Sequence, residues 1–354
     1  QAMKLEEAIN QVKPASRVAA EAARKRWDSI AKPLNGLGVL EEDIVRIAAA
    51  QGRAEVSLEK KAIAVMCADN GIVTEGVTQT GQEVTSIVAG NMGTGQSCVC
   101  LMAACAGAQV IPVDVGMAGE ENLPGVLNRR VAAGTRNFRK EPAMTREQAR
   151  LALEAGIWTA ELFSKRGIRL AGSGEMGIGN TTTSSAVASV MLGLPPEEVT
   201  GRGAGLDTAG YQRKVQVIRD GIRLHRPDPK DPVDVLSKVG GFDLGGLAGF
   251  YIGCAALRIP VVLDGLICCS AALLAAGLCP QVKDYLLASH APAEPGANPA
   301  LKALGLKPAI CAGLCLGEGT GAAALFPLLD MAERVYRTMS SFEEIQVEQY
   351  QHLV

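Results

Sequence analysis

Ile168-Arg169-Leu170-Ala171-Gly172-Ser173-Gly174-Glu175-Met176-Gly177-Ile178-Gly179-Asn180-Thr181-Thr182-Thr183 joins a short β-rich run, 168–171, to a glycine-rich turn and then to a helical pattern over residues 184–192. The same order of strand, polar turn and helix recurs along the chain. Residues 61–67 form a β-rich run ending in Ala68-Asp69-Asn70-Gly71. Residues 109–115 end at Asp114 and Gly116, and residues 260–263 end at Asp264-Gly265. Between them lie helix-length apolar-periodic segments, 84–106, 146–166, 241–258 and 268–276. Four such repeats predict a parallel sheet covered on both faces. Ligands of such sheets bind outside the carboxyl ends of the strands, so the polar turns are expected to converge on one cleft.

Composition agrees with a large α/β core. Of 354 residues, 48% are hydrophobic but only 4% aromatic, and 40 are glycine, which suits closely packed helices on a sheet. Lys and Arg total 35 against 37 Asp and Glu, so no net field favours nucleic acid or an acidic membrane, and small ligands are the expected partners. The ten cysteines sit in apolar stretches without C-x-x-C spacing and read as reduced core thiols. His225, His290 and His352 are far apart in sequence, so neither a zinc site nor any other metal is expected. With no long apolar run free of Gly or charge, the chain is expected to be soluble and cytoplasmic. Gln1-Ala2 before Met3 reads as a remnant of expression and is set aside.

The glycine-rich turns are where chemistry is expected. Residues 172–183 could cradle a phosphate, since glycines let backbone approach an anion while N–H groups and hydroxyls at a helix start donate to it. The stretch also contains G-x-G-x-x-G, which opens a nicotinamide-dinucleotide reading. That match needs an acid closing the next strand about 20 residues on, and the loop Leu194-Pro195-Pro196-Glu197-Glu198 stands there instead. Glu175 inside the turn would repel a pyrophosphate and better suits ribose hydroxyls or developing positive charge on a sugar. A second loop, Gly201-Arg202-Gly203-Ala204-Gly205-Leu206-Asp207, precedes Lys214, which is either a phosphate-binding point charge or solvated surface. Asp264 either orients a ligand or caps the next helix. His290 has no visible partner, and a structural role is expected of it. Leu316-Gly317-Glu318-Gly319-Thr320-Gly321 places a lone carboxylate between glycines before an apolar run, 322–332. Glu318 is read as an acid–base group, against the alternative of a solvated acid at a helix start.

At the ends, residues 4–51 carry helical spacing broken by Pro14, Pro33 and Gly36-Leu37-Gly38, and residues 332–354 read as charged and helical, able to pack on them.

With these pieces in order, the chain resembles the nicotinate mononucleotide:5,6-dimethylbenzimidazole phosphoribosyltransferases of cobamide biosynthesis. The resemblance runs from about Leu34 to Ala332. It is carried by Met66-Cys67-Ala68-Asp69-Asn70-Gly71, Asp114-Val115-Gly116, Gly174-Glu175-Met176-Gly177 with Asn180-Thr181-Thr182, Leu236-Ser237-Lys238-Val239-Gly240-Gly241-Phe242-Asp243, Leu263-Asp264-Gly265, Ser289-His290 and Leu316-Gly317-Glu318-Gly319. It implies a Rossmann-like domain over residues 51–332, a small helical domain from residues 1–50 and 333–354, and a dimer. It also implies transfer of the 5-phosphoribosyl group of nicotinate mononucleotide to an aromatic base, without a cofactor. By resemblance Glu318 is the base that deprotonates the acceptor. Glu175, Gly177, Gly179, Asn180, Thr181, Gly203, Lys214 and Asp264 surround nicotinate mononucleotide, and Thr80, Val88, Met176 and Leu316 line the acceptor slot. The best-known members have a serine and a glutamine where this chain has Thr80 and Val88, and an arginine where Cys315 stands, which leaves the slot here more apolar. Some relatives use phenol or p-cresol and work as pairs of paralogous chains, so a heterodimer stays open beside a homodimer, as does a non-catalytic partner subunit. A nicotinamide-dependent oxidoreductase is the remote alternative.

Overall fold

The computed structural model describes residues 2–353. The chain opens with helices α1 (Leu5–Gln11), α2 (Arg17–Ser29) and α3 (Val39–Gln51) before the first strand, β1 (Lys61–Ala68). Helices α4 (Glu83–Gly93) and α5 (Cys98–Cys105) lead to β2 (Ala108–Gly116), a long excursion containing β3 (Leu127–Asn128), helix α6 (Arg146–Lys165) and β4 (Leu170–Met176). Then come α7 (Asn180–Leu192), the single turn α8 (Pro196–Val199), α9 (Thr208–His225), α10 (Pro232–Val239) and α11 (Phe242–Ala256). The chain closes with β5 (Val261–Leu263), α12 (Leu266–Leu278), β6 (Leu286–Ala288), α13 (Ala297–Leu304) and α14 (Thr320–Thr338).

The strands form one parallel sheet in the order β3-β2-β1-β4-β5-β6. This order reverses direction between β1 and β4, and the crevice at such a switch point is where doubly wound sheets hold ligands. Period-2 alternation splits β1 between two cores: Ala62, Ala64, Met66 and Ala68 face one, Ile63, Val65 and Cys67 the other. The first face is covered by α6, α11 and α12, the second by α3, α5 and α14. The N-terminal helices divide between the faces. Leu5 and Ala8 of α1, with Val12 just beyond it, join the first core, whereas Trp27 of α2 packs tilted against Tyr336 of α14 at 5.1 Å between ring centroids.

Several expectations are corrected. Gly172-Ser173-Gly174-Glu175 is strand, not turn, because β4 runs on to Met176. Its glycines mark close approach: a Cβ at Gly172 would press on Ala322 and Ile63, and one at Gly174 would collide with the backbone of Glu318 and Gly319. Segment 84–106 is two helices, since Gly95 takes a left-handed φ of 79° and Ser97 restarts the helix by accepting the Cys100 N–H. Among the described residues, those beyond Thr338 are not helical; Met339 is extended, and Ser341 pairs with Ile30. Only half of the cysteines are core thiols: Cys98, Cys105, Cys311 and Cys315 are exposed and Cys100 is half-buried. Among the described residues no helix is long and apolar enough to cross a membrane.

Candidate active site

A cavity of about 390 Å³ opens at the carboxyl ends of β4, β5 and β6. Its walls include Glu318, Glu175, Gly177, Gly179, Asn180, Thr181, Gly203, Thr80, Val88, Met176 and Leu316. Lys214 and Asp264, the other two residues singled out in the sequence, stand one layer behind the wall.

Glu318 sits in an unusual backbone. Gly317, Glu318 and Gly319 have φ values of 87°, 62° and 92°, three successive left-handed residues of which the middle one is not glycine. Such a residue is disfavoured by roughly 1–2 kcal/mol and persists only where its surroundings fix it. The segment lies on the bare surface of Gly174 in β4 and leads into α14. Asp264, at the end of β5, holds its far side: Oδ2 accepts the Gly319 N–H at 2.8 Å and Oδ1 accepts the Gly321 N–H at 2.9 Å. The Glu318 side chain is half-buried, and its carboxylate accepts no hydrogen bond from the described residues. Burial, reinforced by the charge of Asp264, raises its pKa above the ordinary carboxylate value.

Beneath it Glu175 is buried, and Asn180 donates through Nδ2 to Glu175 Oε2 and, at 3.1 Å, to Asp243 Oδ2. Burial pushes Glu175 up to about 8, with Asn180 opposing and Asp243 and Asp264 adding to the rise. Asp243 is likewise raised by burial, to about 6.

Around Lys214 the site is built from two glycine loops. Lys214 is fully buried, not solvated, and donates through Nζ to Thr181 Oγ1 at 2.9 Å and to the Gly201 carbonyl at 3.1 Å. Burial lowers its pKa to about 8, with Glu294 opposing. Glu294 also accepts the Gly203 N–H at 3.0 Å, tying the second glycine loop to the segment after β6. Gln79 donates to the Gly205 carbonyl at 2.6 Å and fastens this loop to the one that carries Thr80. The remaining wall is largely apolar, with Val84 and Ile178 joining Val88, Met176 and Leu316.

Two strand-end acids do not reach the cleft. Asp114 accepts the Gly116 and Met117 N–H groups and pairs with Arg130 at 2.8 Å, while Asp69 accepts the Ala118 N–H at 2.7 Å. Both hold the excursion after β2 in place. Conversely, Glu294 and His290 line the cavity although sequence reasoning gave neither a role there. The signal for His290 was its place at a strand end, hidden because β6 is only three residues long. Among the described residues no group of three His, Cys, Asp or Glu could hold a metal ion.

Fold and cleft define the class: a doubly wound α/β enzyme that works on a small molecule at the carboxyl ends of its strands. A family model described as Phosphoribosyltransferase matches residues 12–347. A nicotinate-nucleotide–dimethylbenzimidazole phosphoribosyltransferase of Acetivibrio thermocellus is 45% identical over 331 residues, 94% of each chain. The protein of the same name from Ruminiclostridium cellulolyticum is 43% identical over 351 residues, 99% of this chain and 100% of that one. The crystal structure of CobT from Thermus thermophilus superposes with a TM-score of 0.89 at 41% identity, covering 94% of this chain and all of that one. The chain belongs to the nicotinate-nucleotide–dimethylbenzimidazole phosphoribosyltransferase family, and it is a pentosyltransferase. The oxidoreductase alternative falls with this, and the first glycines of its G-x-G-x-x-G lie inside β4, where they form no pyrophosphate turn.

Proposed function

We propose that the protein transfers the 5-phosphoribosyl group of nicotinate mononucleotide to 5,6-dimethylbenzimidazole or a close analogue, releasing nicotinate and an α-riboside 5′-phosphate. The observation that carries this reading is Glu318: an unpartnered carboxylate with a raised pKa, held in a left-handed segment on the wall of a largely apolar cavity. A benzimidazole offers a flat apolar body and one N–H, which that wall and that carboxylate match.

In this mechanism Lys214, Thr181 and the Gly203 loop anchor the phosphate, and the apolar wall sets the acceptor ring against C1′ of the ribose. One ring nitrogen of the acceptor forms the new bond to C1′ as the bond to the pyridinium nitrogen breaks, and that electron pair leaves with nicotinate. Attack opposite the leaving group converts the β-riboside to the α-riboside. The acceptor's other nitrogen gives its proton to Glu318. Asn180, bridging Glu175 and Asp243, orients the acid that faces the ribose.

The test is product analysis after mixing purified protein and nicotinate mononucleotide with competing benzimidazoles, purines and phenols. An N-linked α-riboside of a benzimidazole is expected; an O-linked product from a phenol would overturn the acceptor, and no transfer to any acceptor would overturn the reading. Glu318→Gln should lose about 10²–10⁴-fold in kcat, the usual contribution of one general base, while still binding nicotinate mononucleotide.

Two further parts belong to the same reading. A homodimer is proposed because Ile87 and Leu101 on neighbouring helices are 67% and 62% exposed and Leu316 at the cavity wall is 54% exposed; sedimentation velocity would detect it. A cytoplasmic location is proposed because the ten free cysteines fit a reducing compartment.

A further inference from the structure

Behind the segment that carries Glu318 stands a buried pair that the proposed chemistry leaves unused. Asp264 follows β5 and Ser289-His290 follows β6, and parallel pairing of Leu263 with Ala288 sets the two strand ends side by side. His290 Nδ1 lies 2.8 Å from Ser289 Oγ and 3.9 Å from Asp264 Oδ1, and both His290 and Asp264 are buried. Asp264 in turn holds the Gly319 and Gly321 N–H groups, which lie on either side of Thr320, the first of them directly after Glu318. Gly321 is committed to this arrangement, since a Cβ there would meet both the His290 ring and the Asp264 carboxylate. His290 also lines the cavity, and its Nε2 makes no hydrogen bond to the described residues.

Three consecutive left-handed residues do not hold themselves, and the middle one is a glutamate that prefers other backbone regions. Asp264 is the side chain that grips the far end of that run, so its orientation decides where Glu318 points. A carboxylate with two backbone donors in line can still rock about its Cβ–Cγ bond. The Nδ1 edge of His290, itself fixed by Ser289, closes the side toward which it would turn.

We infer that His290 is a positioning residue for Glu318, acting through Asp264 on the Gly319 and Gly321 amides. The inference rests on Glu318 as the base that deprotonates the acceptor. His290 touches no reacting atom in this role; it fixes the group that fixes the base, as the outer partners of metal ligands do, whose loss costs about 10–100-fold in activity.

The experiment is a mutant cycle on the full chain with nicotinate mononucleotide and 5,6-dimethylbenzimidazole. His290→Gln, whose amide reaches toward the place of Nε2, is expected to lose about 10–100-fold in kcat with little change in KM for nicotinate mononucleotide. His290→Asn, whose amide nitrogen occupies the place of Nδ1, should recover most of the loss. In a Glu318→Gln background neither change should reduce turnover further, because residues acting as one unit are not additive. Wild-type turnover in His290→Gln, recovery by Gln and not by Asn, or additive losses in the Glu318→Gln background would each overturn the inference. Full turnover in Glu318→Gln alone would instead overturn the base on which it rests. Should His290→Gln fail to fold, His290→Ala with added imidazole replaces it: recovery by imidazole is expected, and its absence in a protein of normal melting temperature counts against the role.

Discussion

At the scale of single residues, the proposed mechanism makes two shifted groups, Glu318 and Lys214, responsible for the pH range in which the free enzyme should work. Glu318 must be ionised to accept a proton, and its pKa is raised by burial and by Asp264, so the acid limb of kcat/KM should lie above the ordinary carboxylate range. Lys214 must be charged to hold a phosphate, and burial lowers it to about 8, so affinity should fall as pH rises through that value. The sign is fixed by which form each step needs: activity grows as Glu318 loses its proton and declines as Lys214 loses its own. A bound phosphate dianion favours the charged lysine, so the alkaline limb should move upward in kcat relative to kcat/KM. Measured pH profiles of the two constants check this, and coincident alkaline limbs would count against Lys214 as a phosphate ligand. The place of Glu318 on the cavity wall was legible in the sequence because a carboxylate between glycines ahead of an apolar run is unusual for a helix start. His290 and Glu294 were not, since each acquires a place only when segments far apart in the chain are brought together.

Among the elements, legibility followed length and pattern. The long helices α6, α11 and α12 and the strands β1 and β2 carry enough periodicity to be read from sequence, whereas β3 and β6, two and three residues long, carry none. Strand β4 was truncated in the reading because glycine signals a turn, yet here glycine signals contact with another backbone. The same logic governs α6 and α11, the most closely packed helix pair. A Cβ at Gly249 would strike the Leu153 carbonyl, and one at Gly156 would strike Gly246 and Phe250. The two backbones touch because neither helix has a side chain at the crossing. Gly249→Ala gains helix propensity of about 1 kcal/mol, but the collision is with backbone in a buried interface, where overpacking typically costs about 1–3 kcal/mol or more. A net loss of stability is expected in thermal or urea unfolding. An unchanged midpoint would show that the helices can separate at little cost, and that the glycines serve another purpose.

For the whole molecule, the cavity matters because distant parts of the chain build it. Its walls come from residues 77–88, 175–181, 202–206, 265–267, 290–294 and 314–318, so a ligand bound there ties both halves of the sheet together. On the proposed reading nicotinate mononucleotide binds where these segments are assembled, and binding to the folded state alone stabilises by mass action. At one hundred times Kd the gain is about 2.7 kcal/mol. With an unfolding entropy of about 2.1 cal/mol/K per residue, a chain of 354 residues should melt roughly 4 °C higher, and the shift should grow with the logarithm of ligand concentration. The variants separate binding from chemistry. Glu318→Gln removes the base but none of the phosphate cradle, so it should keep the shift while losing turnover. Lys214→Met should lose most of the shift, because Nζ is the cation, held by Thr181 and the Gly201 carbonyl, that the proposed mechanism gives to the phosphate. Differential scanning fluorimetry of the three proteins across a ligand series decides the matter. A full shift in Lys214→Met would place the phosphate elsewhere in the cavity, and loss of the shift in Glu318→Gln would mean that this carboxylate helps bind nicotinate mononucleotide instead of waiting for the acceptor.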